Sequence, residues 1–213
     1  MAQVLKKEKQ DSILKISRNL FLTKGYEKTS MKDIANKADL SVGNLYHYYK
    51  NKADIAFSIV KPLFDEIDVY IKEVTHNDIT IYSKDFSFTN KDIIKPKEIS
   101  KVVGNMISNL VSLYEEYYEE YMVINMCPEI IEYLKDWLSS LILYFIQKKH
   151  RIINIFSDEL EALIPSYTNA IIEGAINIFT NKKLSLNKKK KLLSIYFNSY
   201  LSMLDVKSII EKR

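Results

Sequence analysis

One stretch of the sequence carries side chains whose types and spacing suit hydrogen bonding to another molecule. If residues 41–50 form a helix, one side of it carries a glycine, two hydrogen-bonding rings and a cation, which are Gly43, Tyr46, His47 and Lys50. The glycine permits close approach, and the polar tips can reach base edges or phosphates in a groove of DNA. This face predicts contact with DNA, and the alternative is a three-helix surface module that binds no ligand.

Groups that can hold phosphates flank this face on both sides. Thr29 and Ser30 stand where hydroxyls and the free amides of a helix N-terminus can bind an anion. Lys50 and Lys52 flank the next helix start and can neutralise two further phosphates. The sequence therefore predicts phosphate contacts before and after the reading helix.

The helices that must position these groups are marked by their ends. Apolar residues at helical spacing predict a first helix over about residues 7–24, which Gly25 ends. Caps at Ser30, Ser41 and Asn51 predict two short helices followed by a longer one. The three residues before Ser41 form a turn of the length found in a helix-turn-helix.

The same stretch carries a longer pattern of residues in register. The pattern comprises Leu20-Phe21, Gly25-Tyr26, Thr29-Ser30, Asp33-Ile34-Ala35, Ala38 and the run from Ser41 through Lys52. Through these residues, the sequence over about residues 9–58 resembles the tetracycline-repressor (TetR) family of bacterial transcription regulators. Many members have glycine where Asp39 stands and His-Phe where Tyr48-Tyr49 stands. Both departures are mild, because Asp tolerates a left-handed turn and Tyr can replace Phe at a packed edge.

The resemblance implies a DNA-binding face, a two-fold dimer and a near-palindromic DNA operator. The residues expected at DNA are Thr29, Ser30, Ser41, Val42, Gly43, Asn44, Tyr46, His47, Lys50 and Lys52. Within this set, the residues expected to approach base edges are Val42, Asn44, Tyr46 and His47. A dimer is expected because one short recognition helix covers too few base pairs for specificity.

Beyond residue 60, apolar periodicity predicts further helices. They are a fourth helix to about residue 75, a long helix over about residues 97–125, another from Pro128, and two last long helices. On the long helix, Tyr114, Tyr117, Tyr118 and Tyr121 are predicted to face one side, opposite a solvated side that carries Glu115, Glu116, Glu119 and Glu120. Residues 76–97 fit either a short helix or a connection, and Ala170 and Gly174 leave room for close helix packing.

The resemblance further implies that a small-molecule effector binds among the helices of the carboxy-terminal domain. Its candidate walls are Ile67, Ile71, Leu110, Tyr114, Tyr117, Tyr121, Asn125, Tyr133, Trp137 and Leu141. Such a lining favours a mostly apolar, planar molecule held by aromatic faces and phenol hydrogen bonds. The dimer is expected to bury the apolar side of the last two long helices, which carries Ile171, Ile178, Phe197, Tyr200 and Leu204.

Composition and charge limit the class of protein. Four Gly and four Pro among 213 residues argue against a strand-rich fold, which needs frequent turn residues. The three His are scattered, Cys127 is the only cysteine and no glycine-rich phosphate loop occurs, so no enzyme, metal site or cofactor is expected. The N-terminus lacks the apolar core of a signal peptide, and no window reaches the roughly 20 apolar residues of a membrane span, which predicts a cytoplasmic protein without membrane contact. Net charge is +6 over residues 1–61, −8 over residues 62–136 and +6 over residues 137–213, which suggests different partners for different parts.

Together these observations predict an all-α protein of about nine helices. A helix-turn-helix DNA-binding domain over residues 1–51 is joined, through a long fourth helix, to a helical effector-binding and dimerisation domain over residues 52–213. The predicted function is that of a ligand-responsive DNA-binding transcription regulator, a repressor as most of the family are. The alternative is a helical small-molecule or lipid carrier whose amino-terminal module does not read DNA.

Overall fold

The protein is built of helices in the computed structural model, which describes residues 2–75, 108–149 and 157–203. Nine helices and no strand occur within those three ranges, so the all-α prediction is confirmed. The helices are α1 Ala2–Lys24, α2 Met31–Lys37, α3 Val42–Tyr46, α4 Lys52–Thr75, α5 at residues 108–116, α6 Tyr118–Met126, α7 Pro128–Lys149, α8 Ser157–Thr180 and α9 Leu186–Met203. Residues 76–97, predicted as either a short helix or a connection, and the first part of the predicted long helix lie outside the described residues.

The chain divides into two compact units. The first comprises Met1–Phe64 with Tyr117–Glu132, and the second comprises Asp65–Glu116 with Tyr133–Arg213. The first unit therefore adds α6 and the start of α7 to the amino-terminal helices. The predicted domains, 1–51 and 52–213, were defined by expected function, whereas the two units are defined by packing. The functional domains therefore stay a prediction.

Side-chain caps define where α2 and α3 begin. The Asp33 backbone N–H donates to Ser30 Oγ at 3.1 Å, and the Asp33 carboxylate accepts from the Ser30 N–H at 2.8 Å. At α3, the Asn44 N–H donates to Ser41 Oγ at 3.1 Å. Each cap satisfies backbone groups that have no partner within the helix. The predicted caps at Ser30 and Ser41 are confirmed.

The turns between α1 and α4 contain the two left-handed residues of the described chain. Gly25, with φ of +93°, ends α1 as predicted, since glycine adopts this conformation without steric cost. Asp39, with φ of +53°, lies in the turn between α2 and α3. Its short polar side chain makes this conformation tolerable, which confirms the interpretation of Asp39 as a substitute for glycine.

An apolar core fixes α1, α2, α3 and α4 together in the first unit. Its fully buried members include Ile13, Phe21, Ile34, Leu45, Ile55 and Ile59. Each such side chain contributes about 1.5–3 kcal/mol through burial. The short helices α2 and α3 therefore owe their positions to α1 and α4.

The helix predicted over residues 97–125 is interrupted at Tyr117. The Tyr117 backbone has φ of −107° and ψ of 32°, outside the helical range. After this break Glu120 is 6% exposed, and its carboxylate lies 3.2 Å from the Arg18 guanidinium of α1. Tyr118, in contrast, is 47% exposed. The prediction of a solvated glutamate side is therefore wrong at Glu120, because the break changes which residues share a face.

In the second unit, α8 and α9 pack through an apolar cluster that also includes α7. Its residues are Ile142, Ile164 and Ile171, with Leu138, Phe197 and Tyr200 packed against them. Ile171, Phe197 and Tyr200, which the sequence assigned to the dimer interface, thus pack against their own chain. Periodicity identifies an apolar stripe but does not say which helix covers it. Ile178 is half-buried, and Leu204 lies outside the described residues.

A close approach of α8 and α9 occurs at Gly174. The Tyr196 ring occupies the space that a Cβ on Gly174 would need. The Tyr196 hydroxyl donates to the Ala170 carbonyl, and burial raises the pKa of Tyr196 above its usual range, with Tyr200 adding to the effect. The prediction that Ala170 and Gly174 permit close helix packing is confirmed.

Candidate nucleic-acid interface

One side of α3 is buried in the core, and the opposite side exposes polar and aromatic residues. Leu45 is fully buried and Tyr49 is 6% exposed, so these two residues anchor the helix to the core. The exposed residues around them are Ser41, Gly43, Asn44, Tyr46 and His47, while Val42 is half-buried. Among them, Tyr46 is a large aromatic residue that is 52% exposed. The predicted reading residues therefore lie together at the exposed side of one helix.

Gly43 is not required by the fold of this chain. A Cβ placed there would meet only Ser41 Oγ, at 4.0 Å, and the Gly43 backbone does not adopt a left-handed conformation. A glycine that neither relieves a clash nor permits a turn leaves open surface on α3. Such a surface allows another molecule to come close to the backbone.

The two hydroxyls predicted to bind phosphate are engaged within the protein. Thr29 is 2% exposed, and its hydroxyl donates to the Gly25 carbonyl at 2.8 Å. The Ser30 hydroxyl donates to the Asp33 carboxylate at 2.7 Å, and Lys24 lies 2.7 Å from the same oxygen. Hydrogen bonds from Lys24 and Ser30 hold the pKa of Asp33 well below its usual range. Both residues stand at the start of α2, but their hydroxyl protons are already used.

The two lysines expected at phosphates differ in their surroundings. Lys50 is exposed, and its ammonium makes no ion pair with any described residue. The Lys52 ammonium donates to the Tyr26 carbonyl at 2.7 Å and lies 4.1 Å from the centre of the Tyr26 ring. Tyr26 is itself 2% exposed. Lys52 therefore braces the turn after α1 against the start of α4, a role that its position in the sequence did not reveal.

Among the residues assigned to an effector, Tyr114 belongs to the core of the second unit. It is fully buried, its hydroxyl donates to the Phe179 carbonyl at 3.4 Å, and its ring centre lies 4.6 Å from that of Phe179. Lys189, which is 9% exposed, donates to the same carbonyl at 2.6 Å and to the Tyr114 hydroxyl at 3.4 Å. Tyr114 thus packs among α5, α8 and α9, where its phenol has partners within the chain.

The remaining effector residues vary in burial. Ile67 is buried, and the half-buried ones are Leu110, Tyr117, Tyr121, Asn125, Tyr133 and Trp137. Burial raises the pKa of Tyr133, and the nearby carboxylate of Asp68 adds to this effect. The side chains of Ile71 and Leu141 lie outside the described ones.

Two of these half-buried residues carry a buried N–H group without an acceptor. They are Asn125, through Nδ2 in the first unit, and Trp137, through Nε1 in the second unit, each without a hydrogen-bond partner in the described structure. A buried donor that lacks an acceptor costs about 1–3 kcal/mol. Each group is therefore able to gain from an acceptor that the described residues do not supply.

Neither a metal site nor a membrane span is found in the described residues. Across residues 2–75, 108–149 and 157–203, no three His, Cys, Asp or Glu side chains are grouped so that they could hold a metal ion. The helices of these ranges are too short or too polar to cross a membrane.

The different surroundings of the two lysines predict different effects on stability. Lys52→Met should lower the free energy of unfolding by about 1–2 kcal/mol, because it removes a charge-assisted hydrogen bond and a cation–π contact. Lys50→Met, the control with the same loss of charge, should stay within about 0.5 kcal/mol of the wild type. Urea unfolding followed by circular dichroism measures both. Equal stability of the two variants would contradict the bracing role of Lys52.

The chain is similar in sequence to other proteins over part of its length. Residues 13–59 match the family described as bacterial regulatory proteins, tetR family. The transposon Tn10 TetC protein of Escherichia coli is 29% identical over 109 residues, which cover 46% of this chain and 54% of that protein. The uncharacterized HTH-type transcriptional regulator YuxN of Bacillus subtilis is 30% identical over 95 residues, which cover 43% of this chain and 33% of that protein. The matched part thus spans about half or less of these relatives.

Solved structures share the fold over nearly the whole chain. A TetR-family transcriptional regulator from Syntrophomonas wolfei has a TM-score of 0.60 at 17% identity, over 92% of this chain and 95% of that one. A TetR-like transcriptional regulator from Rhodococcus sp. RHA1 has a TM-score of 0.52 at 14% identity, over 91% and 96%. Similarity to regulators agrees with the expectation that the chain is not an enzyme. Residues 13–59 thus match the tetR family of bacterial regulatory proteins, and the solved structures show that the helical fold is shared over nearly the whole chain.

Proposed function

We propose that this protein binds double-stranded DNA as a transcription regulator and that α3 reads base edges in the major groove. The observation that carries this proposal is the exposed side of α3, where Gly43, Asn44, Tyr46 and His47 stand on the buried anchors Leu45 and Tyr49. A rigid helix with exposed hydrogen-bonding tips suits direct readout, since the major groove admits a helix. The cytoplasm, where bacterial DNA lies, is the proposed location.

The residues at DNA are proposed to act in three ways. Those at base edges are Val42, Asn44, Tyr46 and His47, with Ser41 capping the helix and Gly43 permitting close approach. Lys50 neutralises a phosphate directly, because its ammonium is exposed and makes no ion pair in the described structure. Thr29, Ser30 and Lys52 stand beside phosphates, and their internal hydrogen bonds indicate that they chiefly hold α2 and α4 in place.

The test of DNA binding begins with duplexes that the wild-type protein selects from a random-sequence library. Asn44→Ala and His47→Ala should each change the selected sequence and weaken binding, by about 1–3 kcal/mol where a base contact is lost. Lys50→Ala should weaken all duplexes alike and reduce the salt slope by about one. Lys15→Ala, which removes one exposed charge from α1, is the control.

The outcome also separates the two functions that the sequence allows. If the protein selects no duplex but binds apolar compounds, the alternative function is favoured, which is a helical carrier whose amino-terminal module does not read DNA. If Asn44→Ala and His47→Ala keep both affinity and sequence preference, α3 is not the reading helix.

The regulator is proposed to act as a homodimer on a near-palindromic operator, with half-sites one helical turn or slightly more apart. The resemblance to the TetR family supports a dimer formed by α8 and α9, and both helices expose large apolar side chains. Leu163 on α8 is 54% exposed, and Leu192 and Ile195 on α9 are 39% and 56% exposed. Because Ile171, Phe197 and Tyr200 pack within the subunit, the exposed residues are the better candidates for the interface.

Light scattering tests the dimer and its interface. A chain of 24.9 kDa should give about twice that mass at micromolar concentration. The double variant Leu192→Ser, Ile195→Ser should shift the mass towards the monomer without unfolding, because both side chains are exposed in the subunit. Val69→Ser, which changes a similarly exposed apolar residue of α4, should remain a dimer. A wild-type monomer that still binds DNA tightly would contradict the proposal.

A small, mostly apolar effector is proposed to bind among the carboxy-terminal helices and to release the repressor from its operator. The observation in its favour is the Trp137 indole N–H, which is buried and has no acceptor in the described structure. A planar molecule with one hydrogen-bond acceptor would satisfy that donor and contact the indole ring. Tyr114, in contrast, is better explained as part of the core of the second unit.

Trp137 is the only tryptophan, so its fluorescence reports on the effector directly. Aromatic compounds that change this fluorescence should also release DNA. Trp137→Phe should raise the concentration needed for release by about two- to tenfold, the equivalent of one hydrogen bond. Tyr118→Phe, at an exposed position, should leave release unchanged. Release at wild-type concentrations from the Trp137→Phe variant would place the effector elsewhere.

A further inference from the structure

Glu129, in the first turn of α7, joins three parts of the first compact unit. Its carboxylate accepts a hydrogen bond from the Tyr26 hydroxyl at 3.2 Å and another from the Cys127 thiol at 3.2 Å. The Lys52 ammonium donates a hydrogen bond to the Tyr26 carbonyl and also lies over the Tyr26 ring. Glu129 and Lys52 therefore hold opposite ends of one buried tyrosine.

The chemistry of this group favours the charged carboxylate. Burial alone would raise the pKa of Glu129, but hydrogen bonds from its own backbone, Cys127 and Tyr26, together with Lys52, lower it. Burial raises the pKa of Tyr26 above its usual range, and that of Cys127 to about 11, so both remain protonated donors at neutral pH. Two neutral groups thus donate hydrogen bonds to one charged carboxylate. Hydrogen bonds to a charged acceptor are stronger than those between neutral groups.

The position of Tyr26 gives the contact its importance. Tyr26 follows Gly25 at the end of α1, and its backbone carbonyl accepts from the Thr29 N–H at 3.1 Å just before α2 begins. Its ring packs edge-on against Phe21, with ring centres 5.1 Å apart. A side chain that fixes Tyr26 therefore also fixes the turn that leads into α2.

We infer that Glu129 is a positioning residue for DNA binding, which acts from the α6–α7 junction through Tyr26 on Lys52 and the start of α2. The inference rests on the proposed DNA-binding function. Without the Glu129 contact, Tyr26 and Lys52 spend part of their time in other arrangements. Apparent affinity for DNA falls in proportion to the fraction of molecules that keep the competent arrangement.

The experiment measures binding to a 30-base-pair duplex selected by the wild-type protein, at a temperature where circular dichroism shows every variant folded. Glu129→Ala and Tyr26→Phe should each weaken binding by about three- to tenfold, the equivalent of one hydrogen bond. The double variant should be no weaker than the weaker single variant, since both remove the same contact. The salt slope should stay unchanged, because neither residue contacts a phosphate.

Two further variants separate position from charge. Glu129→Gln loses the same charge as Glu129→Ala but keeps an oxygen that can accept from Tyr26, so it should retain most of the affinity. Glu119→Ala removes an exposed carboxylate of α6 that pairs with Arg18 of α1 at 3.1 Å. This surface ion pair has little energetic weight, so Glu119→Ala should bind as the wild type does.

The possible failures are distinguishable. A wild-type protein that selects no duplex contradicts the proposed function itself. If the wild type binds and Glu129→Ala binds equally well with only a lower unfolding temperature, Glu129 is merely structural and the inference is overturned. Additive effects of Glu129→Ala and Tyr26→Phe, or equal losses in Glu129→Ala and Glu119→Ala, would overturn it as well.

Discussion

A helix of five residues cannot hold its own shape in water, and α3 is such a helix. Its geometry is imposed by the burial of Leu45 and Tyr49 in the core formed with α1, α2 and α4, and by the Ser41 cap at its start. The exposed residues of α3 can be polar, aromatic or glycine because they contribute nothing to this anchoring. The anchoring residues and the candidate DNA-reading residues thus lie on opposite sides of one short helix.

The parts of the fold that the sequence predicted depend on contacts between near neighbours. The caps at Ser30 and Ser41 bond to backbone groups three residues away, and the left-handed residues Gly25 and Asp39 act on their own dihedral angles. Such interactions are visible in any window of a few residues. The exposed side of α3 follows from the same helical spacing, so the candidate reading residues could also be identified in advance.

The parts that the sequence did not predict depend on residues far apart along the chain. Arg18 and Glu120 are separated by about a hundred positions, and no local pattern indicates that this glutamate lies buried beside a guanidinium. Periodicity also could not show that Ile171 packs within its own subunit or that Lys52 rests on Tyr26. In each case the sequence showed the apolar stripe or the charged residue. The residue that it contacts depends on the tertiary structure.

The burial of Cys127 at the α6–α7 junction makes this residue a natural reporter of local opening. Its thiol is fully buried, and burial raises its pKa to about 11, so very little thiolate exists at neutral pH. A thiol-directed reagent can react only when the junction between α6 and Pro128 transiently separates. Since the chain contains no other cysteine, the labelling rate of the unmodified protein measures how often that corner comes apart.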